Sequence, residues 1–279
     1  MAEPWELGLI DSVWQGSELD GLPGHTLARE IGYDSLDLFV GFDPGSDPVR
    51  RAHVIGDARA SGLPVRSVIA TCLGLNDFNT AVREFAIQRA LNVIDLAAEL
   101  DTTRNLLFVP GEYLFQRRLL PPEQEWARVV DATRRVGGHA AGRGLEVAIE
   151  LLPFEHAFVR TLDDLERLLE AVGLPNVKAA IDISHLWLER IEPAQLARFA
   201  GRIAHVHLAD CDGEHHGDLP PGRGTTPFPA YLDALRAAGF AGTAAVELEF
   251  PVDGAPLRDW VTEAYGASSR LLADAGVRG

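Results

Sequence analysis

Apolar runs of six to eight residues recur from one end of the chain to the other, separated by stretches with a helical rhythm. The runs are 6–11 (ELGLID), 35–40 (SLDLFV), 65–71 (VRSVIAT), 105–110 (NLLFVP), 146–152 (EVAIELL), 177–184 (VKAAIDIS), 203–210 (IAHVHLAD) and 243–250 (TAAVELEF). Most are rich in Val, Ile and Leu, and several lack clean polar alternation, as strands buried on both faces do. Between them, 80–100 carries apolar residues at helical spacing, and Pro121 and Pro122 precede a helix over about 123–143. Thr161 followed by Asp163 and Asp164 reads as a helix N-cap with acids in the first turn. Further helices are expected over about 193–200, 229–238 and 257–274, with Pro193 and Pro229 where a first-turn proline is tolerated. Gly173, Gly239 and Gly276 follow helical runs, as C-terminal caps do. The stretch 41–64 has the weakest pattern, and the second helix there is the least defined.

A strand followed by a helix, repeated eight times, predicts an α/β fold: a single (β/α)8 TIM barrel spanning residues 1–279. The rival, an open doubly wound sheet, usually carries a Gly-rich turn after its first strand. Here that strand leads into DSVWQGSELDGLPG, which has no G-x-G-x-x-G.

Composition narrows the function. With 25 Lys and Arg against 41 Asp and Glu, the net charge of −16 disfavours nucleic acid and anionic membrane as partners. The excess acid is otherwise a matter of solubility. The two cysteines, Cys72 and Cys211, form no CxxC and read as reduced, buried thiols of a cytoplasmic protein. No signal-peptide pattern and no run of about 18 apolar residues is present.

The chemistry lies late in the last four strands. Glu150, Asp182, His207 and Glu247 each interrupt an apolar run. One alone could be a hydrogen-bonded core group or a charge reaching solvent from a strand end. Four at the same end of a closed barrel would crowd three carboxylates together, and a cation relieves that repulsion. Oxygen-rich donors favour one divalent ion, Mn2+ first, with Mg2+, Co2+ or catalytic Zn2+ as alternatives.

These residues, with Asp182-x-x-His185, His205-x-His207-x-x-Asp210 and Pro221-Gly222-Arg223-Gly224, resemble the xylose isomerase-like barrels over nearly the whole chain. That family includes sugar isomerases and epimerases, inosose and dehydroshikimate dehydratases, and apurinic endonucleases. The resemblance implies that Glu150, Asp182, His207 and Glu247 hold the metal. It also implies that Glu150 and Glu247 move a proton next to a substrate carbonyl, and that His185 bonds a substrate oxygen. His216 and Arg223 are implied to bind an anionic or polyhydroxyl group, and Trp14, Asn76 and Glu112 follow strands where they would line a pocket. His205 is expected one layer down as a core histidine. Asp210 either orients loop groups or is an ordinary loop acid, and the Pro221–Gly224 turn is a weak candidate phosphate cradle.

Two departures matter. Strands three and four end in Ala70-Thr71-Cys72 and Val109-Pro110-Gly111, without the extra histidines of the three-metal nucleases. Cys211-Asp212-Gly213-Glu214 stands where ketohexose epimerases carry an arginine. The resulting expectation is a metal-dependent isomerase or epimerase of a sugar or polyol-derived substrate, with a metal-dependent lyase as runner-up and a non-catalytic binding subunit third. Family members are often homo-oligomers.

Overall fold

In the computed structural model, which describes residues 4–40, 47–110, 119–249 and 254–278, each apolar run forms a strand. The strands are β1 (Glu6–Ile10), β2 (Ser35–Phe39), β3 (Val65–Thr71), β4 (Asn105–Val109), β5 (Glu146–Glu150), β6 (Val177–Asp182), β7 (Ile203–Leu208) and β8 (Thr243–Val246). They are parallel and close in chain order, with β1 paired to β8. The outer layer consists of α1 (Leu22–Ile31), α2 (Pro48–Ser61), α3 (Thr80–Glu99), α4 (Pro122–Ala141), α5 (Leu162–Val172), α6 (Ile183–Leu188), α7 (Phe228–Ala237) and α8 (Leu257–Asp274).

Local signals account for most boundaries. Thr161 caps α5 in a reciprocal box with Asp164, and Gly173 ends that helix in the left-handed conformation at φ 66°. In the weakly patterned stretch, the Asp47 side chain accepts from the backbone N–H groups of Val49 and Arg50 to start α2. Only Ile55, Ala58 and Ser61 of that helix are buried, so its apolar periodicity is faint.

Three expectations need correction. The segment near 193–200 is a 3-10 helix, Pro193–Phe199, and the sixth α-helix lies earlier, starting directly from the last residue of β6. Ile183 and Ser184, read as strand, are therefore the first helical residues. The reason is Asp182, whose Oδ1 accepts from the His185 N–H at 2.9 Å and caps the helix. β8 also stops early, at Val246, although the Glu247 N–H still reaches Leu208 O at 3.3 Å.

The main apolar core packs strands against helices, whereas the barrel's interior is partly polar. His205 sits inside it, with Nε2 2.5 Å from Asp37 Oδ2 on β2. Asp37 also accepts from the Ser67 N–H, and Ser67 Oγ donates to Asn105 Oδ1. Both cysteines are buried and free. Among the described residues no helix is long and apolar enough to cross a membrane.

Candidate metal centre and substrate cavity

Glu150 and Asp182 are the last residues of β5 and β6. Asp182 pairs in register with His207, and Glu247 lies one residue past β8. Register and the two-residue side-chain period aim all four at one point in the barrel's C-terminal mouth. His207 Nδ1 is 3.0 Å from Glu150 Oε1, 2.9 Å from Glu247 Oε2 and 4.0 Å from Asp182 Oδ2. One ligand atom from each of the four residues falls within 4.8 Å of the others.

Glu150 Oε1, Asp182 Oδ2, His207 Nδ1 and Glu247 Oε2 are all buried and make no hydrogen bond. A single buried orphan of this kind costs about 1–3 kcal/mol. Four converging lone pairs therefore fit a divalent cation. Asp182 Oδ1 takes donors from Ser184 Oγ and the His185 N–H, which leaves Oδ2 open to ligate a cation. Burial would pull the His207 imidazole down, but the Glu247 and Glu150 carboxylates outweigh it and hold it well above its ordinary value. Burial would raise Asp182, yet His185, His207 and its two donors hold it below the usual carboxylate range.

Beside this centre, His185 Nδ1 donates to Leu151 O at 3.0 Å. Its Nε2 lies 3.0 Å from His216 Nε2, so in the neutral pair His216 is the donor. His216 also approaches Asp218 Oδ2 at 3.5 Å and Glu249 Oε1 at 3.4 Å. Asp218 is 4% exposed, its Oδ1 has no hydrogen-bond partner, and its φ of 32° is unusual for a non-glycine residue. Burial, reinforced by the charges of Glu247 and Asp182, pushes its carboxyl well above the usual range. Asp218 escaped the sequence reading; its only signal was its place two residues after His216.

A cavity of about 610 Å3 opens over Glu150, Glu247, His185 and His216, with Phe39 and Phe154 in its wall. His185 and His216 are thus brought to the site together with Glu150 and Glu247. Trp14, Asn76 and Arg223 are not. Trp14 is fully buried beneath Gly24, where an added Cβ would meet its ring at 2.5 Å, and Ser12 and Gln15 line the cavity instead. Asn76 is buried and does not line the cavity. Arg223 points to α8, paired with Glu263 at 2.7 Å and stacked over Trp260. Glu112 lies outside the described residues.

The Pro221–Gly224 turn is not a phosphate cradle, because the chain fills it with its own carboxylate. Asp210 Oδ2 accepts from the Gly222 and Gly224 N–H groups at 2.8 Å, and Oδ1 from Cys211 at 2.9 Å and Thr226 at 3.0 Å. A Cβ at Gly224 would stand 2.1 Å from Cys211 O, so the close approach requires glycine. Asp210 therefore anchors the loop that carries His216 and Asp218. Asp210→Ala should lower stability by at least about 2 kcal/mol, read from the urea midpoint, because buried donors are left unpaired. A change below about 0.5 kcal/mol would show that the loop stands without it.

Residues 26–270 match the family model described as xylose isomerase-like TIM barrel, and the chain belongs to that family. It is 24% identical over 274 residues to an inosose dehydratase from Geobacillus thermodenitrificans, covering 88% of this chain and 89% of that protein. To an L-ribulose 3-epimerase from Mesorhizobium japonicum it is 26% identical over 245 residues, covering 84% of this chain and 78% of the relative. The apo crystal structure of a 3-keto-D-glucoside 4-epimerase from E. coli shares the fold, with TM-score 0.76, 22% identity and coverage of 94% of this chain and 99% of that one.

Proposed function

We propose that this protein is a divalent-metal-dependent isomerase or epimerase of a sugar or sugar derivative, acting by proton transfer next to a carbonyl. The observation that carries the reading is the convergence of four unpaired donor atoms, two of them from Glu150 and Glu247, which line a cavity with His185, His216, Phe39 and Phe154. Glu150, Asp182, His207 and Glu247 would hold the ion, with Mn2+ the first candidate for this oxygen-rich set. When bound, the cation supplies electrophilic stabilisation of the carbonyl oxygen as charge develops there.

The chain's own residues do the rest. Glu150 and Glu247 enter the cavity from β5 and from beyond β8. One, as carboxylate, takes the proton from the carbon beside the carbonyl, and the C–H electron pair shifts towards the carbonyl. The other, arriving as the acid, returns a proton to the opposite face; the two glutamates end with exchanged protonation states, which proton exchange with solvent restores before the next turnover. His185 and His216 are placed to hydrogen-bond hydroxyl groups at the same carbon framework. The chain's similarity to sugar epimerases supports this chemistry.

A lyase is the second reading, favoured by one feature. Asp218, buried beside His216 and biased towards its protonated form, is suited to protonating a departing hydroxyl. Similarity to an inosose dehydratase points the same way. Incubation of ketoses and keto-cyclitols with the Mn2+-loaded protein in deuterated water separates the two. Deuterium incorporation without loss of water is the expected result. An enone absorbing in the ultraviolet would establish elimination instead, and no exchange with any member would overturn both.

A further inference from the structure

A second cavity, of about 820 Å3, adjoins the metal cavity, and Gln15 and Phe39 wall both. Each is of the size that small-molecule sites commonly have. The second lies over the ends of β1 and β2, between α1 and α2. Its polar lining sets Gln15, Asp20, His25 and Asp57, which keep acceptors open, beside Asp11, Arg50 and His53. His25 is 2% exposed; its Nε2 meets Asp11 Oδ2 at 3.1 Å, and its buried Nδ1 has no hydrogen-bond partner. With Nε2 donating to that carboxylate, Nδ1 is an acceptor awaiting a donor. Asp20 uses Oδ2 on the Gly16 N–H, and Asp57 uses Oδ2 on the Leu22 N–H and beside His53. The second oxygen of each carboxylate makes no hydrogen bond among the described residues. Gln15 donates through Nε2 to Phe39 O at 2.8 Å, which leaves its own carbonyl oxygen available at the junction.

Open acceptors beside the Arg50 guanidinium and His53 call for a ligand that both donates and accepts, as sugar hydroxyl groups do. The Phe39 ring adds an apolar wall against which a sugar's C–H face can pack. We propose that the second cavity binds a glycosyl residue joined to the reacting sugar, so that the substrate is a keto-sugar glycoside of about disaccharide size rather than a free monosaccharide. This rests on the sugar reading of the metal cavity. Gln15 and Phe39 then sit at the glycosidic junction, with the reacting ring over Glu150 and Glu247 and the second ring over His25.

The test uses unreactive probes, so that it does not depend on turnover. Calorimetry on the Mn2+-loaded protein compares cellobiose, maltose, lactose and trehalose with the methyl glycosides of their component sugars. At least one disaccharide should bind about tenfold or more tighter than its methyl glycoside. Val49→Trp, at the 78%-exposed rim of the second cavity, and Asp20→Ala, which removes one open acceptor, should each erase most of that advantage. Methyl glycoside affinity should not change in either variant. Disaccharides that all bind within about threefold of the methyl glycosides, or an advantage that survives both variants, would overturn the proposal. A protein that shows the advantage yet exchanges no deuterium keeps the subsite and loses the isomerase reading.

Discussion

Glu247→Gln and Glu150→Gln should each lower turnover by roughly 10²–10⁴-fold with the fold intact, the range expected when a positioned acid or base is removed. The amide matches the carboxylate in shape and keeps one oxygen donor, so it can still ligate a cation, but it neither accepts nor returns the proton. Because both residues also belong to the ligand set, kcat is to be compared at matched metal occupancy, measured by elemental analysis. Asp182 provides the contrast. Its Oδ1 is committed to Ser184 and the His185 N–H, so Asp182→Asn should act mainly by loosening the metal and the start of α6. Near-normal turnover of metal-loaded Glu247→Gln would remove Glu247 from proton transfer and leave it a ligand only.

The second large effect is on stability. Adding Mn2+ to chelator-treated protein should raise Tm by about 5–10 °C at a hundredfold excess over Kd. That excess is worth about 2.7 kcal/mol, at about 2–4 °C for each kcal/mol in a chain of this size. The cause is the set of buried donor atoms that make no hydrogen bond and gather three carboxylates around one imidazole. A cation supplies at once the partner that each of them lacks. His207→Ala should abolish the shift, because it removes the only nitrogen ligand and opens the centre of the cluster. Comparison of Mn2+, Mg2+, Co2+ and Zn2+ by the same assay ranks the ions. Equal Tm with and without every one of them would dismiss the metal centre.

Much of this was legible before any coordinates. Eight apolar runs at regular spacing report the barrel, because burial on both faces leaves a strand little room for polar residues. An acid or imidazole near the end of such a run is conspicuous for the same reason, which is why the four candidate ligands stand out. The three pocket residues that missed the cavity share a weaker warrant. Trp14 and Asn76 rest on proximity to strand ends, and Arg223 on its place in the long loop after strand seven; neither says which way a side chain turns. Trp14 turns into the core under Gly24, and Arg223 is claimed by Glu263 and Trp260 on α8. Asp218 and Gln15 sit in loops, where no periodicity marks a functional side chain.

The amino-acid sequence by itself determined the strand count, the barrel class and the residues that could bind a metal, since all of these follow from local patterns of burial and charge. Only the tertiary structure decided that the four donor atoms meet within bonding reach, that Asp182 divides its two oxygens between a helix cap and the centre, and that Asp210 occupies the glycine-rich turn. It also joined a second cavity to the first through Gln15 and Phe39. The physical reason is that these outcomes depend on register and on competition among side chains from distant elements. Neither is encoded in any short stretch of the chain.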